Sequence, residues 1–172
     1  MNNKTLSLAI AATSLIITGT AMADYTGLDF AGTDNGDGTW TARIYANFSA
    51  GTDQLNAVYG DANNGLSISS SGGFYQNALG GPTSVSINPA LIPLFPSLAL
   101  DSWVTIGHED STGNNMLNIG IDWSGFEGGG DISTDNGSWF ATPDDAQVYA
   151  IGGKVLIGQF TVAEGDHVFG MI

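Results

Sequence analysis

The sequence predicts an all-β protein, an antiparallel β-sandwich, on three observations. Apolar and polar residues alternate with period two along much of the chain. The alternating stretches are short and are separated by clusters of Gly, Asn, Asp and Ser; 25 glycines in 172 residues suit turns and weaken helices. No long stripe of helical period interrupts the pattern.

Residues 1–23 read as a signal peptide. Met1, Asn2 and Asn3 are polar and Lys4 is positive; residues 6–17 are apolar except for Ser7, Thr13 and Ser14. Ala21-Met22-Ala23 places small residues where a signal peptidase needs them, which puts cleavage before Asp24. The apolar run falls short of the ~20 residues that cross a bilayer. The expectation is export by the general secretory route to the cell surface or medium, with no membrane insertion after cleavage. Residues 24–172 then form one β-sandwich domain. The chain has no cysteine, and a domain of this size folds on apolar burial without disulfides.

The clearest strand is residues 39–48. Trp40, Ala42, Ile44, Ala46 and Phe48 face one way, and Thr41, Arg43, Tyr45 and Asn47 the other. Leu28 and Phe30 alternate in a partner strand, and Asn35-Gly36 with Asp37-Gly38 supplies the turn of a hairpin. Further strands are expected at residues 54–59, 66–69, 84–87, 103–106 and 117–123. In the last, Leu117, Ile119, Ile121 and Trp123 share a face. Residues 154–162 place Leu156, Phe160 and Val162 on one side, and residues 167–172 start another strand. Residues 88–100 carry Pro89, Pro93 and Pro96 among large apolar side chains, so they read as an extended crossover capping one end of the core. An apolar lip for docking is the alternative. The chain stops abruptly on Val168-Phe169-Gly170-Met171-Ile172, and the expectation is a domain truncated at its C-terminus.

Charge excludes some partners. Seventeen acidic residues stand against three basic ones, of which Lys4 lies in the leader. Such a surface repels phosphate backbones, so nucleic acid is not an expected partner; anionic lipid is disfavoured for the same reason. Charged residues are sparse at 12 %, which separates the chain from disordered acidic tails.

Asp34 and Asp37, set among glycines and Asn35, are candidate calcium ligands, although the distal bidentate Glu of a full calcium loop is missing. Calcium is the one cofactor the sequence suggests. Residues 134–139 echo this turn, which two hairpins of like chemistry explain. Asp144 and Asp145 read as a solvated loop, and His108-Glu109-Asp110 lacks the spacing of a zinc site. No Gly-x-Ser-x-Gly occurs and cysteine catalysis is excluded. Asp122 and Glu127 as a glycosidase pair are no more than seventeen acids produce by chance. No catalytic residue is assigned. Among aromatic side chains, Trp40 and Trp123 are expected in the core, while Trp139 and Tyr75 are the candidates for an exposed ligand-binding face.

Several stretches resemble a recurring family of secreted proteins from aquatic bacteria of planctomycete and proteobacterial type. They include Ala42-Arg43-Ile44-Tyr45-Ala46, Leu55-Asn56-Ala57-Val58-Tyr59-Gly60, Asn118-Ile119-Gly120-Ile121-Asp122-Trp123 and Thr142-Pro143-Asp144-Asp145-Ala146-Gln147. The resemblance implies a secreted β-rich domain and carries no activity or catalytic residue over to this chain; it implies further sequence beyond residue 165. The closing Val155-Leu156-Ile157-Gly158-Gln159-Phe160-Thr161-Val162 is loosely similar to cohesin-type sandwiches, and a jelly roll of the carbohydrate-binding-module kind is the related alternative. The functional expectation is an exported, non-catalytic structural, adhesive or partner-binding module acting on proteins or glycans. A carbohydrate-binding module assisted by calcium comes second, and a hydrolase third.

Overall fold

A computed structural model describes residues 24–172; the expected signal peptide lies outside the described residues. The strands, in chain order, are β1 (Tyr25–Asp34), β2 (Thr39–Phe48), β3 (Ala57–Gly60), β4 (Leu66–Ser70), β5 (Trp103–Val104), β6 (Leu117–Ile119), β7 (Ile132–Thr134), β8 (Gly137–Phe140), β9 (Lys154–Ala163) and β10 (Val168–Met171). They pair antiparallel in three sheets: a four-stranded β1-β2-β9-β5, and two three-stranded sheets, β10-β4-β7 and β3-β8-β6. Among the described residues the one short α-helix, α1, spans Ser124–Glu127.

The layers follow from the alternation. Trp40, Ala42, Ile44, Ala46 and Phe48 are all buried in the main core, as the period-two reading of β2 requires. They meet Leu66, Ile68, Ile132 and Val168 from one small sheet and Val58 and Trp139 from the other. The two small sheets therefore share the layer opposite the four-stranded sheet, and the architecture is sandwich-like. The β1–β2 hairpin forms as expected, with Gly36 and Gly38 at positive φ.

β9 departs from simple alternation. Phe160 and Val162 enter the main core, but Leu156 points out of the opposite face, into a second cluster with Ile87, Leu98 and Trp103. The cause is a bulge: Ile44 pairs with Gly158 and Tyr45 with Leu156, so Ile157 is the extra residue and the faces exchange there. The proline-rich segment covers that outer face rather than one end of the core. Leu91, Ile92 and Leu98 pack on Leu156 and Trp103, leaving Leu94 and Phe95 exposed.

Beside this cluster the cover is polar. Gln159 Nε2 donates to the carbonyls of Ala99 and Asp101, and the hydroxyls of Thr41 and Thr161 lie 2.7 Å apart. The Asp101 carboxylate is fully buried; its oxygens accept the backbone N–H of Asn77 at 2.6 Å and of Gly81 at 3.0 Å. Burial outweighs these bonds and pushes its pKa up to about 6.

Three further expectations change. Residues 84–87 form a 3-10 turn over Ser84–Ser86 instead of a strand, where Ser84 Oγ bonds the Thr105 hydroxyl and accepts from Asn114 Nδ2. The strand expected at 117–123 stops at Ile119, because Gly120 takes φ +72° and the Asp122 carboxylate accepts the Ser124 N–H to begin α1. Residues 134–139 make a corner and not a hairpin, since β7 and β8 belong to different sheets. Gly137 permits it: a Cβ there would sit 2.6 Å from Thr134 Oγ1 and 2.8 Å from the Gly120 carbonyl.

Candidate binding groove

β1, β3 and β10 are each the last strand of their sheet. All three border one groove of about 490 Å³, a volume in the range of small-ligand and peptide sites. No residue of β4 or β8 lines it; β3 contributes Ala57, Val58 and Tyr59, and β10 only its last residue, Met171. Its floor is the core itself: Leu28 from β1, Ala46 from β2 and Ile157 from β9. Ile157 is the bulge residue, so the irregularity in β9 supplies part of the floor. Leu55 and Val58 form one wall, Met171 and Ile172 the other.

The rim is polar and aromatic. Tyr25 and Tyr59 are exposed at its edges, and Tyr25 stacks edge-on against Phe48 at 6.1 Å. Asp61, in the β3–β4 turn, accepts the backbone N–H of Asn63 at 2.7 Å and of Asn64 at 2.9 Å. Those bonds hold its carboxyl below the usual range, so the rim carries a fixed negative charge. Tyr25 is shifted the other way: burial raises its phenol. The lining thus offers apolar contact, two phenols, one amide and one carboxylate. The lining includes no Ser, Thr, His or Lys side chain.

Beside the groove, the outer face of the β3-β8-β6 sheet is apolar. The register aligns Tyr59 with Ser138 and Ile119, and Ala57 with Phe140 and Leu117. Tyr59, Leu117 and Ile119 are 62 %, 59 % and 66 % exposed. The alternation of Leu117 and Ile119 was legible in the sequence; that their shared face looks outward was not.

The candidates named from the sequence are dispersed. Trp139 is a correction: it is fully buried, its indole N–H donates to the Thr105 carbonyl at 3.0 Å, and its ring lies against Trp123. The register explains this, because Trp139 is directly opposite Val58 on the inward face of the sheet. It cannot serve as an exposed ligand platform. Tyr75 is half-buried in the segment over β9, where its hydroxyl accepts from Asn77 Nδ2. Trp40 is in the core as expected, whereas Trp123 is half-buried with its indole N–H on Asn118 Oδ1.

Asp34 and Asp37 hold their own turn. Asp34 Oδ1 accepts the Gly36 N–H, and Asp37 Oδ1 accepts both the N–H and the hydroxyl of Thr39. Among the described residues no three His, Asp or Glu side chains gather as metal ligands. Asp144 binds Gln54 and Tyr149, while Asp145 binds Asn115 and caps the following turn. Glu109 pairs with Arg43. Asp122 and Glu127 are exposed at either end of α1.

The groove residues were not singled out from the sequence. Most are ordinary residues of five strands, β1, β2, β3, β9 and β10, and of the β3–β4 turn, and only the packing of the sheets brings them together. Comparison of the chain with models of known protein families, with characterised proteins and with solved structures finds no match.

Proposed function

We propose that the chain is an exported, non-catalytic β-sandwich module that holds an apolar segment of a partner polypeptide, in a structural or adhesive role at the cell surface or in secreted material. The observation that supports this reading is the groove: an apolar floor continuous with the core and a polar rim. The export part rests on residues 1–23. The carbohydrate-binding alternative loses Trp139 as a stacking face, and no specific observation favours it.

A neutral solvatochromic dye such as Nile red tests the groove. The folded protein is expected to enhance its fluorescence saturably. Ala57→Trp, at an exposed position in the wall, is expected to abolish the enhancement while leaving the circular dichroism spectrum unchanged. A folded variant that enhances the dye as well as the parent does would refute the assignment.

A further inference from the structure

Three Asn-Gly pairs occur in the chain: Asn35-Gly36, Asn64-Gly65 and Asn136-Gly137. Such a pair carries its own reactants, because glycine has no Cβ to keep its nitrogen from the asparagine side chain. Reaction requires a glycine N–H without an acceptor, an amide that can swing, and room for the peptide between them to turn. Two of the pairs lack these conditions. The Gly36 N–H donates to Asp34 Oδ1 at 2.9 Å, and Asn35 Nδ2 donates to the hydroxyls of Thr39 and Thr41, each at 2.9 Å. The Asn136 N–H is anchored on Thr134 Oγ1, and Gly137 is buried at the start of β8. A Cβ on Gly137 would lie 2.6, 2.7 and 2.8 Å from Thr134 Oγ1, Ile121 Cγ1 and the Gly120 carbonyl. That peptide has no room to turn.

Asn64-Gly65 is different. Asn64 is exposed and Gly65 half-buried in the turn that leads into β4. Among the described residues nothing accepts the Gly65 N–H. A Cβ on Gly65 would meet only the Thr134 carbonyl, at 3.8 Å, so the peptide has room to turn. The turn is held through other atoms: the Asn64 carbonyl accepts the Asp61 N–H at 3.0 Å, and the Asn64 N–H donates to Asp61 Oδ1 at 2.9 Å. Where two hydroxyls pin the Asn35 amide, the Asn64 amide has the Asp61 carboxylate of its own turn beside it.

We propose that Asn64 is a self-modifying position: it closes on Gly65 to a succinimide and opens to aspartate or isoaspartate, with water as the co-reactant. The Gly65 nitrogen bonds to Asn64 Cγ. The Cγ–Nδ2 bond breaks, and Nδ2 leaves as ammonia with the proton that Gly65 gives up. Water then adds to one imide carbonyl. Breaking the bond from the nitrogen to Cγ restores the original backbone with an aspartate. Breaking the bond to the backbone carbonyl carbon leaves the chain running through Cγ, as isoaspartate. Either product turns the amide in the groove lining into a second carboxylate beside Asp61. Isoaspartate also lengthens the backbone by a methylene group shortly before the fully buried Leu66. This chemistry goes beyond the binding reading and does not depend on what the groove holds.

The experiment holds the purified, folded protein in warm, mildly alkaline buffer for days, digests samples with chymotrypsin and follows the peptides by mass spectrometry. Cleavage after Phe30, Trp40, Tyr59, Leu66, Phe126 and Trp139 puts the three pairs on separate peptides. Conversion adds about one dalton, and fragmentation assigns it to Asn64 and not to Asn63. Asn64 is expected to convert at least about tenfold faster than Asn35 or Asn136, because hydrogen bonds must first break at those two. In concentrated urea the three rates should converge to within about threefold. Gly65→Ala, which the 3.8 Å clearance admits, should keep the parent's circular dichroism spectrum and slow conversion at Asn64 about tenfold. Equal rates at the three pairs in the folded protein, or a faster rate at Asn35 or Asn136, would overturn the proposal. A ranking that persists unchanged in urea would trace it to sequence alone and overturn the structural argument. Undiminished conversion in Gly65→Ala would overturn the succinimide route.

Discussion

Replacing Asp101 with asparagine is expected to change how stability varies with pH, and the structure sets the size of the change. The parent carboxylate is fully buried and pushed up to about 6 from the ordinary value of 3.8, first by burial, with the like charge of Glu127 acting in the same direction. A gap of about two pH units corresponds to about 3 kcal/mol. The folded state binds this proton more tightly than the unfolded chain does. Its contribution is therefore complete below the ordinary carboxylate range and is lost as pH rises through about 6. Asparagine cannot titrate, so the stability of the variant relative to the parent should rise by about 3 kcal/mol between about pH 4 and about pH 7. The level is set separately. Asn77 and Gly81 each donate to one carboxylate oxygen, and asparagine has one oxygen, so one N–H loses its acceptor at a cost of about 1–3 kcal/mol at every pH. The variant should be the less stable protein in acid and should close the gap towards neutrality. Urea unfolding followed by tryptophan fluorescence at several pH values measures the difference. Asp29, Asp37, Asp61, Asp122 and Asp145 have lowered values; their contributions are lost only as pH falls below the ordinary range, and they cancel between parent and variant. A difference that is flat across the window would refute the reasoning, as would one that widens against the variant. Either would mean that the two backbone N–H groups outweigh burial.

Trp139→Ala should cost about 3–5 kcal/mol in urea unfolding, because it empties a fully buried site. Trp139→Phe should cost less, mostly through the lost bond to the Thr105 carbonyl; a cost below about 0.5 kcal/mol would contradict the burial. Gly60→Ala would place a Cβ 2.3 Å from the Thr134 carbonyl and 2.7 Å from the Leu66 nitrogen, so a loss of at least about 1–3 kcal/mol is expected, visible as a lowered melting temperature. Millimolar calcium should leave the melting temperature unchanged. Asp34 and Asp37 each turn an oxygen to their own loop, and calcium requires six to eight oxygen ligands. A rise that a chelator reverses would place the ion there after all.

The sequence was most readable where a strand has one buried face and a turn of unambiguous chemistry. β2 shows this, with five alternate residues buried and glycines at positive φ before it. Readability failed where the third dimension decides. A bulge in β9 exchanges the faces on either side of Ile157, and nothing local in a run of apolar residues marks which one is extra. Trp139 lies two residues after the Asn136-Gly137 turn, which suggests exposure, but the turn is a corner and the residue faces inward. Leu117 and Ile119 alternate like a core face, yet the opposite side of their sheet meets the core. The groove was illegible for a related reason. Its residues come from stretches more than a hundred positions apart, and only the packing of the two layers brings them together.

β9 is flanked by β2 and β5, and eight of its ten residues are buried, because the crossover segment shields its outer side while the core shields the inner. Its amides should be the last in the molecule to exchange with heavy water, surviving any opening short of global unfolding. β3 and β10 each end a small sheet in the opposite layer. The chain therefore keeps its most permanent hydrogen bonds directly beneath the groove, in the strand that supplies Ile157 to its floor.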